Sequence, residues 1–230
     1  MTVADERGRR WDAATGIAFA VVAFVALVLP GIPPAANASS NQIRRFFVAG
    51  REQVLVGDLL LGVSLVLFIW FLGAARSYLR SGEGGEGRLS AAAFGGGVAG
   101  VTLVVAGAAL FNGIAFDVAA GANADLVRAF YDAASAFFTL SAFGFATFFA
   151  AASCSGARSG ALSPALYWSG SVAAVLQLPA GIALFARSGF FAVGGAYGFV
   201  APIAALVWTV ALSAAMMRRS GVPPRPRAEP

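Results

Sequence analysis

Three polar residues interrupt stretches that are otherwise apolar, and they are the first candidates for chemistry: Asp58 in VLVGDLLLG, Asn112 in ALFNGIAF and Asp132 in AFYDAASAFF. A carboxylate in apolar surroundings is costly to keep ionised, so it must find a counter-ion, take up a proton or meet a polar ligand. Arg128 precedes Asp132 by one helical turn on the same face, which predicts an intrahelical ion pair. Arg51 stands just outside the apolar run that holds Asp58 and is the other available counter-ion. Tyr131, Gln177 and Tyr197 add hydroxyl and amide groups at a comparable depth. Asp58, Asn112 and Asp132 each lie roughly 6 to 9 Å inside the end of their apolar run at 1.5 Å per helical residue. The expectation is that the three converge, with Arg51 or Arg128 as counter-ion, in an outward-opening ligand-binding pocket. The competing reading is that these carboxylates snorkel to the interface or tie helices together.

What the sequence lacks narrows the chemistry further. There is no histidine, and Cys154 is the one cysteine, so no intrachain disulfide and no Ser-His or Cys-His pair can be built, and most zinc chemistry is removed. No metal and no cofactor is expected. No Gly-Lys-Ser/Thr phosphate loop occurs, no regular arginine ladder marks a voltage sensor, and the glycines near Gly96 lack a dinucleotide-binding context. The net charge of +5 comes from arginines clustered beside apolar runs, where they orient helices, so nucleic acid is not an expected partner.

The elements that must hold these groups are transmembrane helices. Hydrophobic residues make up 59% of the chain and charged residues 12%, with a mean hydropathy of +0.78. One soluble domain of 230 residues cannot hide that much apolar surface, and the solvent must be lipid. The pattern predicts an all-α polytopic bundle with about six spans, near 13–29, 54–73, 91–116, 129–152, 164–185 and 194–217. A polar segment, 1–12, precedes this single domain of 13–217, and a basic, Pro-rich tail, 218–230, follows it; the tail is expected to be disordered. Ser39 and Ser40 can cap a helix that begins near Asn41 and runs unbroken into the second span. The glycines between Ser81 and Arg88 predict a flexible loop, 153–163 a polar turn, and Pro179 with Gly181 a kink in the fifth span. Gly96 and Gly100 permit the close approach of a neighbouring helix.

For six spans, eleven of the sixteen arginines fall on the side of the two termini, and five (Arg44, Arg45, Arg51, Arg128 and Arg187) on the other. The positive-inside rule then predicts an N-in, C-in protein with both termini cytoplasmic. Trp11, Trp70 and Trp168 would mark that interface, with Trp208 somewhat deeper. Arg7, Arg9 and Arg10 ahead of an apolar run, with Ala36-Asn37-Ala38 beyond it, also fit a cleaved secretory signal, but retention as the first span is expected.

The layout resembles a family of six-helix integral membrane proteins common in actinobacteria. The residues that carry the likeness are RFFVAGREQVLVGDLLLGVSLVLFIWFLGAARSYLR from Arg45, GRLSAAAFGGG from Gly87, AFYDAASAFF from Ala129 and SGALSPALYWSG from Ser159. The resemblance implies the topology and a bacterial cytoplasmic membrane; the family has no established activity, so it implies no functional residue. Three roles stay open on the residues alone. The chain binds a small amphipathic or lipid-like molecule in its outward pocket; or Asp58 or Asp132 acts as a general acid on an isoprenoid-like substrate, with aromatic rings stabilising a cation; or it is a structural subunit that associates through small-residue faces. The lipid bilayer is the expected partner in each case, and a second copy of the chain is another.

Overall fold

An apolar run in lipid must satisfy its backbone internally, and a helix does so within one segment. The computed structural model describes residues 3–83, 85–121 and 123–219, and contains helices and no strand among them. The long helices are α1 (Val3–Val28), α3 (Arg51–Glu83), α4 (Arg88–Gly113), α6 (Ala124–Ser159), α7 (Pro164–Gln177) and α8 (Tyr197–Arg219). Two short ones are α2 (Ser40–Ala49) and α5 (Ala119–Gly121). A π-helical turn, Ile114–Val118, joins α4 to α5, and a 3-10 segment, Leu178–Leu184, extends α7 beyond Pro179. Six segments are long and apolar enough to cross a membrane. The all-α bundle with six spans is therefore as the sequence predicts.

The spans pack in chain order around a closed ring. α1 contacts α3, α3 contacts α4, α4 contacts α6, α6 contacts α7, α7 contacts α8, and α8 returns to α1. α3 also meets α6 across the middle. We call the end at which α1 begins and α8 ends proximal and the other distal. The middle and proximal part is filled by rings: Phe19 from α1, Phe68 and Phe71 from α3, Phe148 and Phe149 from α6, and Trp208 from α8. Trp208 is not part of the interfacial belt; it is 2% exposed and donates its indole N–H to the Leu166 carbonyl at 2.9 Å. Trp11, Trp70 and Trp168 are exposed at 74%, 65% and 64%. A second, distal cluster joins Ile43 and Phe47 of α2 to Val54, Ile114, Val127 and Tyr131.

The closest contact is between α4 and α6, and the glycines explain it. A Cβ on Gly96 would lie 2.8 Å from the Gly144 carbonyl oxygen, and one on Gly144 would lie 2.5 Å from the Gly100 nitrogen. The neighbour that Gly96 and Gly100 admit is thus α6, with Gly144 as the third small residue.

Four boundaries differ from the sequence reading. The helix from Ser40 does not run unbroken into the second span; Gly50 ends α2, its N–H bonded to the Phe46 carbonyl, and the break lets α2 lay Ile43 and Phe47 on the distal cluster. The residues 81–83 are not a loop, because the helix runs on through Glu83, which binds the start of α4. The region 153–163 is helical to Ser159 and ends at Gly160, whose φ of 63° is a left-handed helix stop. α8 runs on through Arg219, so the first two residues of the expected disordered tail are helical, and the rest of that expectation, 220–230, lies outside the described residues.

Candidate functional site

The distal groups singled out from the sequence divide into those that hold elements together and two, Asn112 and Asp58, that do not, of which Asp58 has a buried oxygen without a partner. Arg128 belongs to the first kind. Its Nε pairs with Asp132 Oδ2 at 3.2 Å, the intrahelical bridge expected from the spacing, while Nη1 and Nη2 donate to the carbonyls of Ala38 and Ala36, each at 2.6 Å. Asp132 orients the guanidinium, and the guanidinium clamps the segment between α1 and α2. Tyr131, one residue before, is fully buried and donates its hydroxyl to the Pro34 carbonyl in the same segment. Its ring stacks on Phe111 and meets Phe47 edge-on, so the tyrosine is part of the distal core.

Arg51 is not the counter-ion of Asp58. Its guanidinium donates to the Phe116 carbonyl at 3.2 Å and lies 5.9 Å from the centre of the Phe116 ring. Arg44, which sequence reasoning passed over, does the same for the next turn, with Nε 2.8 Å from the Ala119 carbonyl. The two arginines bind carbonyls that the π turn and the end of α5 leave open, which is a helix C-terminus stabilised by cations. The signal was available: arginines at the start of the second span stand opposite the end of the third in any up-down bundle. Ser40 adds a bond to Asp125 at 3.1 Å, which ties the start of α2 to α6.

Gln177 and Tyr197 sit between α7 and α8. Gln177 is 3% exposed and donates to the Ala201 carbonyl at 3.0 Å, and the Tyr197 hydroxyl donates to the Leu176 carbonyl at 2.7 Å. Both bonds close the junction where Pro179 turns α7 into the 3-10 segment. Asn112 is half-buried near the end of α4.

Asp58 is the exception. It shares an α3 face with Val54, Leu61 and Leu65, so it stands on the seam between the distal and central clusters. Its Oδ2 is buried and has no hydrogen-bond partner. No hydrogen bond or ion pair among the described residues joins it to Asn112 or Asp132, and the Asp132 side chain is 55% exposed on its own helix. α3 begins at Arg51, which sets Asp58 about two turns in from that end.

At the proximal end the sequence reading missed Glu83. Its Oε1 accepts from the Leu89 N–H at 2.6 Å, and its Oε2 accepts from the Ser90 N–H at 2.9 Å and the Ser155 hydroxyl at 3.3 Å. One carboxylate caps α4 and binds α3 to α6. An acid just ahead of a helix start is a recognisable signal, but glycines on both sides hid it behind a loop assignment. Among the described residues no group of three or more Asp, Glu or Cys is gathered for a metal. No family model, curated protein or solved structure matches the chain.

Proposed function

We propose that this protein binds a small hydrophobic or amphipathic molecule that enters from the outer leaflet, and that Asp58 meets the polar head of that molecule. The observation that carries the reading is the buried, unpartnered Asp58 Oδ2. Leaving such an oxygen without a partner costs on the order of 1 to 3 kcal/mol, a cost that a ligand hydroxyl or ammonium would remove on binding. The hydroxyls of Ser153 and Ser213 are also unpartnered, but a hydroxyl is cheaper to bury than a carboxylic acid or carboxylate. Arg51, Arg128, Tyr131, Gln177 and Tyr197 give their donors to backbone carbonyls and Asp132 pairs with Arg128, so they are read as the walls and cover of the site. The apolar face around Asp58 favours a mostly hydrocarbon ligand.

The same proposal places the chain in a bacterial cytoplasmic membrane with both termini inside. The arginine asymmetry supports that orientation, and the resemblance to actinobacterial six-helix proteins supports the membrane assigned.

The test is native mass spectrometry of the protein extracted in mild detergent, with Asp58→Asn and Asp58→Leu beside the wild type. A small molecule that co-purifies with the wild type, weakens in Asp58→Asn and is lost in Asp58→Leu is the expected result. Equal retention in all three removes Asp58 from the site. Incubation with prenyl alcohols and diphosphates extends the test: a new product that vanishes in Asp58→Asn would replace binding by acid catalysis.

A further inference from the structure

The helix lengths set the levels at which charges meet the membrane. α3 has 33 residues, about 50 Å at 1.5 Å each, whereas the hydrocarbon core is about 30 Å thick. From Arg51 to Trp70 the rise is about 28 Å, so the exposed Trp70 falls where an interfacial aromatic belongs. Arg76 and Arg80 follow about 9 and 15 Å further along the helix, one turn apart, and because helical side chains lean back towards the helix N-terminus, their guanidiniums reach towards the headgroups of the proximal leaflet.

Neither arginine has an acidic partner among the described residues. The Arg76 guanidinium lies over the Phe94 ring at 5.4 Å, which holds it towards α4. Beside it a cavity of about 420 Å³ is lined by Gly73, Arg76, Ser77, Arg80 and Phe94. A wider groove of about 960 Å³ shares Gly73, Ser77 and Phe94 and continues to Ile69 and Trp70. Gly73 keeps it open, since a Cβ there would meet nothing within 4 Å. The groove is therefore cationic at its headgroup end and apolar towards the membrane centre. Asp12 touches the wider part, and its charge disfavours an anion on the α1 side.

We propose that this groove holds an anionic phospholipid of the proximal leaflet, with Arg76 and Arg80 on the phosphate and the upper acyl chain along Ile69, Trp70 and Gly73. Two guanidiniums one turn apart supply parallel N–H donors to a phosphate diester. A soluble phosphate would use the arginines but not the apolar wall, and that wall is what selects a lipid. The site is at the opposite end from Asp58 and does not depend on the ligand proposed there.

The experiment reconstitutes the full chain in nanodiscs with equal amounts of phosphatidylglycerol and phosphatidylcholine, then releases it for native mass spectrometry. Retained phosphatidylglycerol should exceed phosphatidylcholine, and the excess should fall about thirtyfold in Arg76→Gln/Arg80→Gln, the order expected for two interfacial cations. Arg158→Gln removes another exposed arginine and should leave the preference unchanged. Gly73→Leu fills the groove without touching either cation and should lower retention of both lipids at this site, with the unfolding temperature kept. Preference that survives the double variant overturns the proposal. So does loss of bound lipid on adding millimolar inorganic phosphate, which would show a site for the free anion, or unchanged retention in Gly73→Leu.

Discussion

Glu83 and Asp58 are both carboxylates of α3, and their surroundings give them opposite effects on stability. Glu83 accepts three hydrogen bonds, two of them from the open N–H groups of α4. Glu83→Ala is expected to cost about 1 kcal/mol, read as a lower unfolding temperature in detergent, with Ser155→Ala costing less. Asp58 has a buried oxygen with no bond, so Asp58→Leu should raise the unfolding temperature, by the equivalent of about 1 to 2 kcal/mol. A destabilised Asp58→Leu would mean that the acid has a partner and that its role is structural. Sequence alone picked out Asp58, because an acid inside an apolar run is conspicuous. It could not separate Asp58 from Asp132, since depth is legible in a sequence and helix rotation is not. The Arg128 and Asp132 pair was legible because both ends lie on one helix, whereas the bonds from Arg128 to Ala36 and Ala38 depend on the path of a distant segment.

Elements were legible to the degree that lipid dictates them. All six spans follow from hydropathy, and the Gly96 and Gly100 spacing announced a close neighbour, though not that α6 would be it. Gly144→Leu should force α4 and α6 apart and lower stability by about 3 kcal/mol or more. Gly95→Leu, on an exposed turn of α4 with nothing within 4 Å of its Cβ, should be neutral or mildly stabilising. Thermal unfolding of the two variants side by side is the measurement. α2 was harder to read: its capping box at Ser39 and Gln42 was visible in part, but its separation from α3 depends on a distal cluster to which five elements contribute. Arg128→Ala should free 33–49 to exchange amide hydrogens at least tenfold faster, while exchange in α4 and α6 stays slow.

For the whole molecule, six spans put the start of α1 and the end of α8 at one end, and the short connections keep each span beside its successor. Labelling can check this with Glu86→Cys and Arg187→Cys in a Cys154→Ala background, since both positions are exposed and lie at opposite ends of the bundle. Reaction of the two with an impermeant maleimide from opposite sides is expected, and reaction from one side would remove a span from the bundle. The order of spans could be inferred from the sequence, but closure of the ring could not, because α1 and α8 are the most distant spans along the chain.

That closure has a consequence for how the protein is made. The contact between α1 and α8 is a tight one, since a Cβ on Gly16 would lie 2.1 Å from the Ser213 hydroxyl. α1 leaves the ribosome ahead of the other five spans and must therefore wait for α8 before one of its sides is covered. Through most of synthesis the nascent bundle is an open arc, and the insertion machinery or a passing lipid must shield the flank of α1 until α8 arrives. A ribosome that stalls before Tyr197 would release an arc that cannot close, exposing to the membrane's quality-control proteases the Gly16 seam that the finished protein hides.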